Sequence, residues 1–466
     1  MPANIFFGTG IPTIIMVLKQ KRIHNDILII DASKGFIKEG KNNKLRACDI
    51  KKIVDTISKR ESIEKFSRVV SKEEIRKNDY NLNIPRYVDS SEKAESWDIY
   101  ATMFGGIPLS EVNELKDYWE AFPNLKSSLF KQVSSDYCNL TTNELKKSIQ
   151  QHSDVLAFEK EYANAFNDIE KYFYHQLIDN MSTLNIPKTE QILSENIFSR
   201  LSNIKLIDKY EAYQLFNNDW NKIAVDLEMI QTEGFETIKK VAPNMVLKKK
   251  KNKEEEVQEG WIGHILPFDT VQDMLLTDEK NLLKEKEEQL SEIDSKYEEL
   301  FDSLTEEEKE ANYINEEKNN FIVGELKKAL KANVLEPETM EKLRLANEII
   351  TNKKVLKSEI KKLSEQLENK TKETIENLTD DSARELLKEK WITPLVENLM
   401  KLPDNIVNDL VSKIDYLAKK YETTFEQVDE EISKTEKELC SMIDELCGNE
   451  FDMLGLREFK KLLGGE

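Results

Sequence analysis

Met1-Pro-Ala-Asn-Ile-Phe-Phe-Gly-Thr-Gly-Ile-Pro-Thr-Ile-Ile-Met-Val-Leu18 opens the chain as a glycine-broken loop followed by five consecutive apolar residues. A run such as Ile14 to Leu18, apolar at every position, reads as a strand buried on both faces, and such a strand needs a neighbour on each side. Asp26-Ile-Leu-Ile-Ile-Asp31 has the same character. The short polar link Lys19 to Asn25 predicts a hairpin between the two. Cys48 to Lys59 reads as a helix with Ile50, Ile53, Val54 and Ile57 on one stripe. A polar stretch then runs to Val88. Residues 1–90 are thus a small α/β region.

The rest of the 466 residues is written in helical periods. Only 14 Gly and 11 Pro are present, too few for the turns of a sandwich or barrel. Ser110 reads as the N-cap of a helix carrying Val112, Leu115, Trp119 and Phe122. Further helices are expected over Val155 to Leu177 and Tyr210 to Ile230, the latter with Tyr213, Phe216, Trp220, Ile223, Leu227 and Ile230 as core. Lys248 to Glu256 is a charged loop or hairpin tip. Leu276, Leu283, Leu290, Tyr297 and Leu304 recur every seven residues, as do Ile349, Leu356 and Leu363, so two long helices should pair as a hairpin within the chain. Thr305-Glu-Glu-Glu308 is a capping box, and Pro337 starts or interrupts a helix. Cys440 and Cys447 read as small buried hydrophobes. The fold class is mainly α with a small α/β head and a coiled-coil-like C-terminal region. Domains are expected at 1–90, 91–268 and 269–466.

Charge is uneven. Residues 1–90 hold 18 Lys+Arg against 11 Asp+Glu, a net of +7, which leaves −27 on the remainder of a chain whose net charge is −20. A basic head on an acidic body places any polyanion contact at the head. The sequence has no apolar run long enough for a transmembrane helix and no secretory signal pattern, which leaves the cytoplasm as the expected compartment. Four scattered cysteines make no CxxC, and His24, His152, His175 and His264 form no metal-ligating spacing. Gly8-Thr-Gly10 leads into a strand rather than following one, so it is not a dinucleotide fingerprint. What remains is the N-terminal loop, where Phe6 or Phe7 beside Gly8, Thr9 and Gly10 could stack a flat ligand such as a nucleobase.

Met1 to Leu18, Asp26 to Ser33 and Asn78-Asp-Tyr-Asn-Leu-Asn-Ile-Pro-Arg-Tyr-Val88 closely resemble the modification (M) subunit of type I restriction–modification systems. That family methylates adenine N6 in DNA with S-adenosylmethionine. The segments around Trp119, Tyr210 to Gly234, Gly260 to Phe268 and Asp444 to Met453 resemble the helical C-terminal part of such subunits more loosely. The family's glycine-rich cofactor loop and its [ND]-P-P-[FY] catalytic tetrapeptide are absent from these 466 residues. The resemblance therefore implies a C-terminal portion: the last two strands of a class I methyltransferase sheet, a Phe6–Phe7 loop walling the pocket of a flipped adenine with Phe7 as the stacking aromatic, and a helical region that docks on the specificity (S) subunit. Through that subunit it would reach the restriction (R) subunit and DNA. No catalytic, cofactor-binding or metal-binding residue is expected in this chain, and no activity from it alone. Two other readings stand beside this one: a helical scaffold that binds the specificity subunit without methylating, and an acidic helical DNA mimic.

Overall fold

The computed structural model describes residues 1–466 except 7, 9, 22, 92–94, 251–252, 316–319, 333 and 464–466, and without the side chains of 248–250 and 253–255. The protein is mainly α-helical with short strands, as the helical periods require. Its chain forms two compact units: residues 1–170, 187–221 and 395–466, and residues 171–186 and 222–394. Both are assembled from non-contiguous stretches. The helices Lys209–Glu233 and Asp380–Met400 contribute to both. No helix among the described residues is long and apolar enough to cross a membrane.

In the first unit, the head strand Ile27–Ile30 pairs antiparallel with Ser67–Val70, with Ile27 opposite Val70 and Ile30 opposite Ser67. Ile29, Val70, Ile75, Tyr87 and Val88 close a small core over this pair. The expected hairpin of Ile14 to Leu18 with Asp26 to Asp31 does not form. Residues 12 to 19 carry no regular structure, and Ile14, Val17 and Leu18 are 70%, 77% and 87% exposed. A strand is defined by its ladder, and no described residue offers Ile14 to Leu18 a partner. Its β-branched composition is a preference for a neighbour, not a substitute for one.

The helix Ala47–Lys59 is where the sequence places it, but its orientation is the reverse of an ordinary amphipathic helix. Ile50, Val54 and Ile57 are about half exposed, while Cys48 and Thr56 are buried. Both this stripe and Ile14 to Leu18 thus leave apolar side chains of the head exposed. Trypsin is therefore expected to cut first at the exposed Lys19 or Lys21. Following the fragments by mass spectrometry checks this; survival of residues 11–24 as long as the helical body would contradict it.

The remaining helices depart from the sequence reading in detail. The helix expected from Ser110 is two, Leu109–Glu114 and Lys116–Ala121, broken at Leu115, with Ser110 inside the first. Lys209–Glu233 buries Tyr213, Phe216, Trp220, Ile223, Leu227 and Ile230 as expected. Cys440 is buried, but Cys447 lies beyond the end of Phe425–Asp444 and is exposed. The seven-residue spacing puts it on the same face only if the helix continues, which it does not.

In the second unit, Thr277–Asp302 and Pro337–Glu376 pack along each other, as their heptads predict. Ion pairs Glu279–Lys370, Lys286–Glu359 and Asp294–Lys353 step forward along one helix and backward along the other, so the pair is antiparallel. Leu300, Phe301, Leu304, Tyr313, Phe321, Leu326, Leu343 and Ile349 fill its closed end. Thr305 and Glu308 form the expected capping box. The charged stretch 248–256 belongs to a long hairpin, Val241–Lys250 with Lys253–Gly263, whose tip at 251–252 lies outside the described residues. At its base Trp261 donates its backbone N–H to Glu368 at 2.7 Å and its ring lies 3.5 Å under the Lys372 ammonium, which seats Gly260 to Phe268 on the long helix.

Candidate functional site

The N-terminal loop is pinned at its base. Asn43, in the small hairpin Ile37–Glu39 with Asn42–Lys44, donates its backbone N–H to the Asn4 carbonyl at 2.9 Å and its side-chain amide to the Ala3 carbonyl at 2.7 Å. Asn4 itself sits at φ 53°, a left-handed position that Asn tolerates better than most residues. Past this anchor Phe6 is half exposed, and Gly8 holds φ 78° with open space where a Cβ would stand. Gly10 lies against the Asn4 side chain. Phe7 and Thr9 lie outside the described residues. The Asn43 anchor was not readable beforehand: an Asn in a polar turn gives no sign of a partner 40 residues away.

Two carboxylates organise the head. Asp31, at the end of Ile27–Ile30, accepts from the Ser33 N–H at 3.0 Å and from the Ser90 hydroxyl. Asp49 accepts from the Arg46 backbone N–H at 2.9 Å and from its guanidinium at 3.0 Å, holding the start of Ala47–Lys59. Burial alone would raise both carboxyls, but these hydrogen bonds outweigh it and hold each below the ordinary range. Burial, reinforced by Asp49, pushes the Cys48 thiol up to about 11. A carboxyl depressed in the folded state stabilises the fold above its unfolded pKa and loses that contribution as pH falls through the folded value. The head is thus expected to lose amide protection over residues 27–70 as pH falls below about 4. Asp49→Asn should flatten that dependence in hydrogen-exchange mass spectrometry; an unchanged profile would contradict the assignment.

Elsewhere the polar clusters are spoken for. A cleft of about 450 Å³ is lined by Glu95, Glu111, Lys413, Tyr416 and Lys420. Its Lys420 donates to Glu111 at 2.9 Å and to the Ser96 carbonyl at 2.6 Å, and Tyr421 donates to Glu111 at 2.5 Å. This network ties the end of the helix Leu402–Lys420 to Ser96 and Glu111, so the charged groups of the cleft already engage one another. No group of His, Cys, Asp and Glu suited to a metal ion occurs among the described residues.

The family model described as N-6 DNA Methylase matches residues 1–96. The head of the chain is similar to N-6 DNA methylases. Within this methylase-like chain, 144 residues are 31% identical to the type I restriction enzyme MpnII methylase subunit of Mycoplasma pneumoniae, covering 31% of this chain and 25% of that one. A stretch of 105 residues is 43% identical to the type I restriction enzyme MjaVII methylase subunit of Methanocaldococcus jannaschii, covering 21% and 18%. A solved methyltransferase subunit of a type I restriction-modification system from Streptococcus thermophilus is 50% identical over 20% of this chain and 19% of its own, with a TM-score of 0.19. The methylase-like chain spans a quarter or less of the length of the curated relatives it matches. The resemblance to type I modification subunits read from the opening residues is therefore shown.

Among the described residues of the head, the strand Ile27–Ile30 is not followed by a glycine-rich turn. Ile27–Ile30 is followed by Asp31-Ala-Ser-Lys34, and the Asp31 carboxylate is occupied by Ser33 and Ser90.

Proposed function

We propose that this chain is the target-base and docking part of a type I adenine-N6 DNA methyltransferase. In this reading it works only in an assembly whose other parts bring S-adenosylmethionine and the N-P-P-[FY] tetrapeptide. The specificity subunit supplies the DNA target and the restriction subunit joins through it. The observation that carries the reading is the pairing of a methylase-like sequence over residues 1–96 with an apolar surface, Ile14 to Leu18 and the Ile50, Val54, Ile57 stripe, left uncovered on that same segment. Exposed apolar side chains concentrated on one small region support reading it as an interface. In this reading the cover is the rest of a class I methyltransferase sheet, and the family match over residues 1–96 supports it.

Within the assembly the loop of residues 6–10 walls the pocket of the extruded adenine. An exocyclic amine cannot be reached inside a duplex, so the base must leave the stack, and an aromatic face returns part of the lost stacking. That contribution is about 1–3 kcal/mol per base. Phe7→Ala in the assembled enzyme is therefore expected to lower adenine methylation about 5- to 150-fold. Phe6→Ala should act less. Measuring transfer of labelled methyl groups to duplex DNA checks both, and a Phe7→Ala assembly at full rate would overturn the assignment of the loop.

A further inference from the structure

The turn after the short helix Lys72–Lys77 holds two consecutive residues, Asp79 at φ 53° and Tyr80 at φ 57°, in the left-handed region. Asp enters that region more readily than most residues, but for a bulky side chain such as Tyr it is an unfavourable backbone state. Glycine would make the same turn without strain. The strain is held from the inside. Tyr80 donates its backbone N–H to the Ile75 carbonyl at 2.9 Å, and Asp79 donates to the Arg76 carbonyl at 3.0 Å. The buried Tyr87 donates its hydroxyl to the Asn81 carbonyl at 2.5 Å and accepts from the Asn78 side-chain amide at 3.3 Å. The outside is bare. The Tyr80 ring is 65% exposed and has no hydrogen bond or ring partner among the described residues. A strained residue whose side chain the local core does not use points to a role outside that core.

The cations around the ring narrow that role. Arg76 and Lys77 form the last turn of the helix, and Arg86, on the far side of the turn, donates to the Asn78 side-chain oxygen at 3.5 Å. All three are exposed, and none has a carboxylate partner among the described residues. Against them stands Asp79 in the turn itself, while Glu74 of the helix is already paired with Arg68 and Glu73 lies in its first turn. Leu82 adds one exposed apolar side chain. An apolar cover of the kind proposed for Ile14 to Leu18 does not suit this face, because it would bury guanidinium and ammonium groups without partners. A polyanion with flat faces does suit it: phosphates answer the cations and a base answers the ring.

We propose that the turn of residues 76–86 is a DNA contact of its own, separate from the loop of residues 6–10. Arg76, Lys77 and Arg86 take phosphates of the duplex backbone, and the Tyr80 ring stacks on a base whose face is exposed where the duplex opens. The left-handed backbone holds the ring outward in advance, which reduces the ordering that stacking requires. DNA as the ligand rests on the reading given above; the site and its chemistry come from the turn.

Fluorescence anisotropy tests this on the full chain with two short labelled duplexes, one fully paired and one carrying a single unpaired adenine. Arg76→Ala with Lys77→Ala and Arg86→Ala should weaken binding of both and lower the slope of log K against log salt by about 2–3. Tyr80→Gly should weaken binding of the duplex with the unpaired adenine about fivefold or more and leave the paired duplex nearly unaffected. Tyr80→Phe, which keeps the ring, should bind like the parent. Because glycine relieves the left-handed backbone, Tyr80→Gly is expected to melt no lower than the parent, which separates lost stacking from a lost fold. Binding of neither duplex, a salt slope that the triple variant leaves unchanged, a Tyr80→Gly chain that binds the unpaired adenine like the parent or melts below it, or a Tyr80→Phe chain that loses binding would each overturn the proposal. None of these readouts involves methyl transfer. Their failure leaves the methyltransferase reading to its own assay, and a failed transfer assay leaves DNA binding that depends on this turn standing.

Discussion

Asp226→Ala is expected to remove about 3–5 kcal/mol from the stability of the second unit, the cost typical of breaking a buried ion pair by deleting one partner. Asp226 is buried in Lys209–Glu233. One of its oxygens accepts from the Lys390 ammonium at 2.5 Å and from the Trp391 indole N–H at 2.7 Å. Lys390 also donates to the Ile265 carbonyl at 2.7 Å, so the cluster ties three segments of the chain together. Truncating the carboxylate leaves a cation and an indole N–H without their acceptor in a site water reaches poorly. The magnitude follows from what is left behind. Replacing both charges, Asp226→Leu with Lys390→Met, should cost much less than Asp226→Ala despite changing more atoms. Urea unfolding followed by tryptophan fluorescence measures both, and a double variant as unstable as the single one would contradict the account.

Gly263→Ala is expected to destabilise the same unit by about 3 kcal/mol, at the upper end of what overpacking costs. A Cβ on Gly263 would stand 1.9 Å from the Leu266 carbonyl oxygen and 3.0 Å from its carbon. Those are backbone atoms of the turn that follows the strand, so no rotamer change relieves the clash. The turn itself must open. It carries Ile265, whose carbonyl receives Lys390, and Leu266, which is fully buried. Damage at Gly263 thus reaches the Asp226 cluster, and the two substitutions should not be additive. Gly35→Ala is the informative contrast. There the added methyl would meet the Asp49 carboxylate at 2.7 Å, a side chain that can yield, and a smaller loss is expected. A Gly263→Ala protein that melts like the parent in urea would contradict this reading of the turn.

The parts of the fold that were legible are those set by local periodicity. The paired helices Thr277–Asp302 and Pro337–Glu376 announce themselves because each seam residue is fixed by neighbours three, four and seven positions away. The same holds for Lys209–Glu233 and for the box at Thr305 and Glu308. The strand Ser67–Val70 was not legible. Four residues with one charge among them carry little pattern, and the strand exists because Ile27–Ile30 lies beside it. Ile14 to Leu18 errs in the opposite direction, since its residues favour a strand that no ladder completes. The helix at Ala47–Lys59 was found with its apolar stripe, but the pattern reports amphipathicity and not which face is covered. At the candidate site, the loop stood out through its aromatic pair and glycines. Its anchor on Asn43 is a long-range hydrogen bond and leaves no trace in the pattern.

Methyl transfer from labelled S-adenosylmethionine to adenine in duplex DNA tests the central claim most directly. It should be measured with the chain and a specificity subunit, and again after adding a methylase segment that carries the N-P-P-[FY] tetrapeptide and the glycine-rich cofactor loop. The account predicts no transfer in the first mixture and transfer in the second that falls when Phe7 is replaced by Ala. Transfer by the chain without the added segment, or none with it, would contradict the claim.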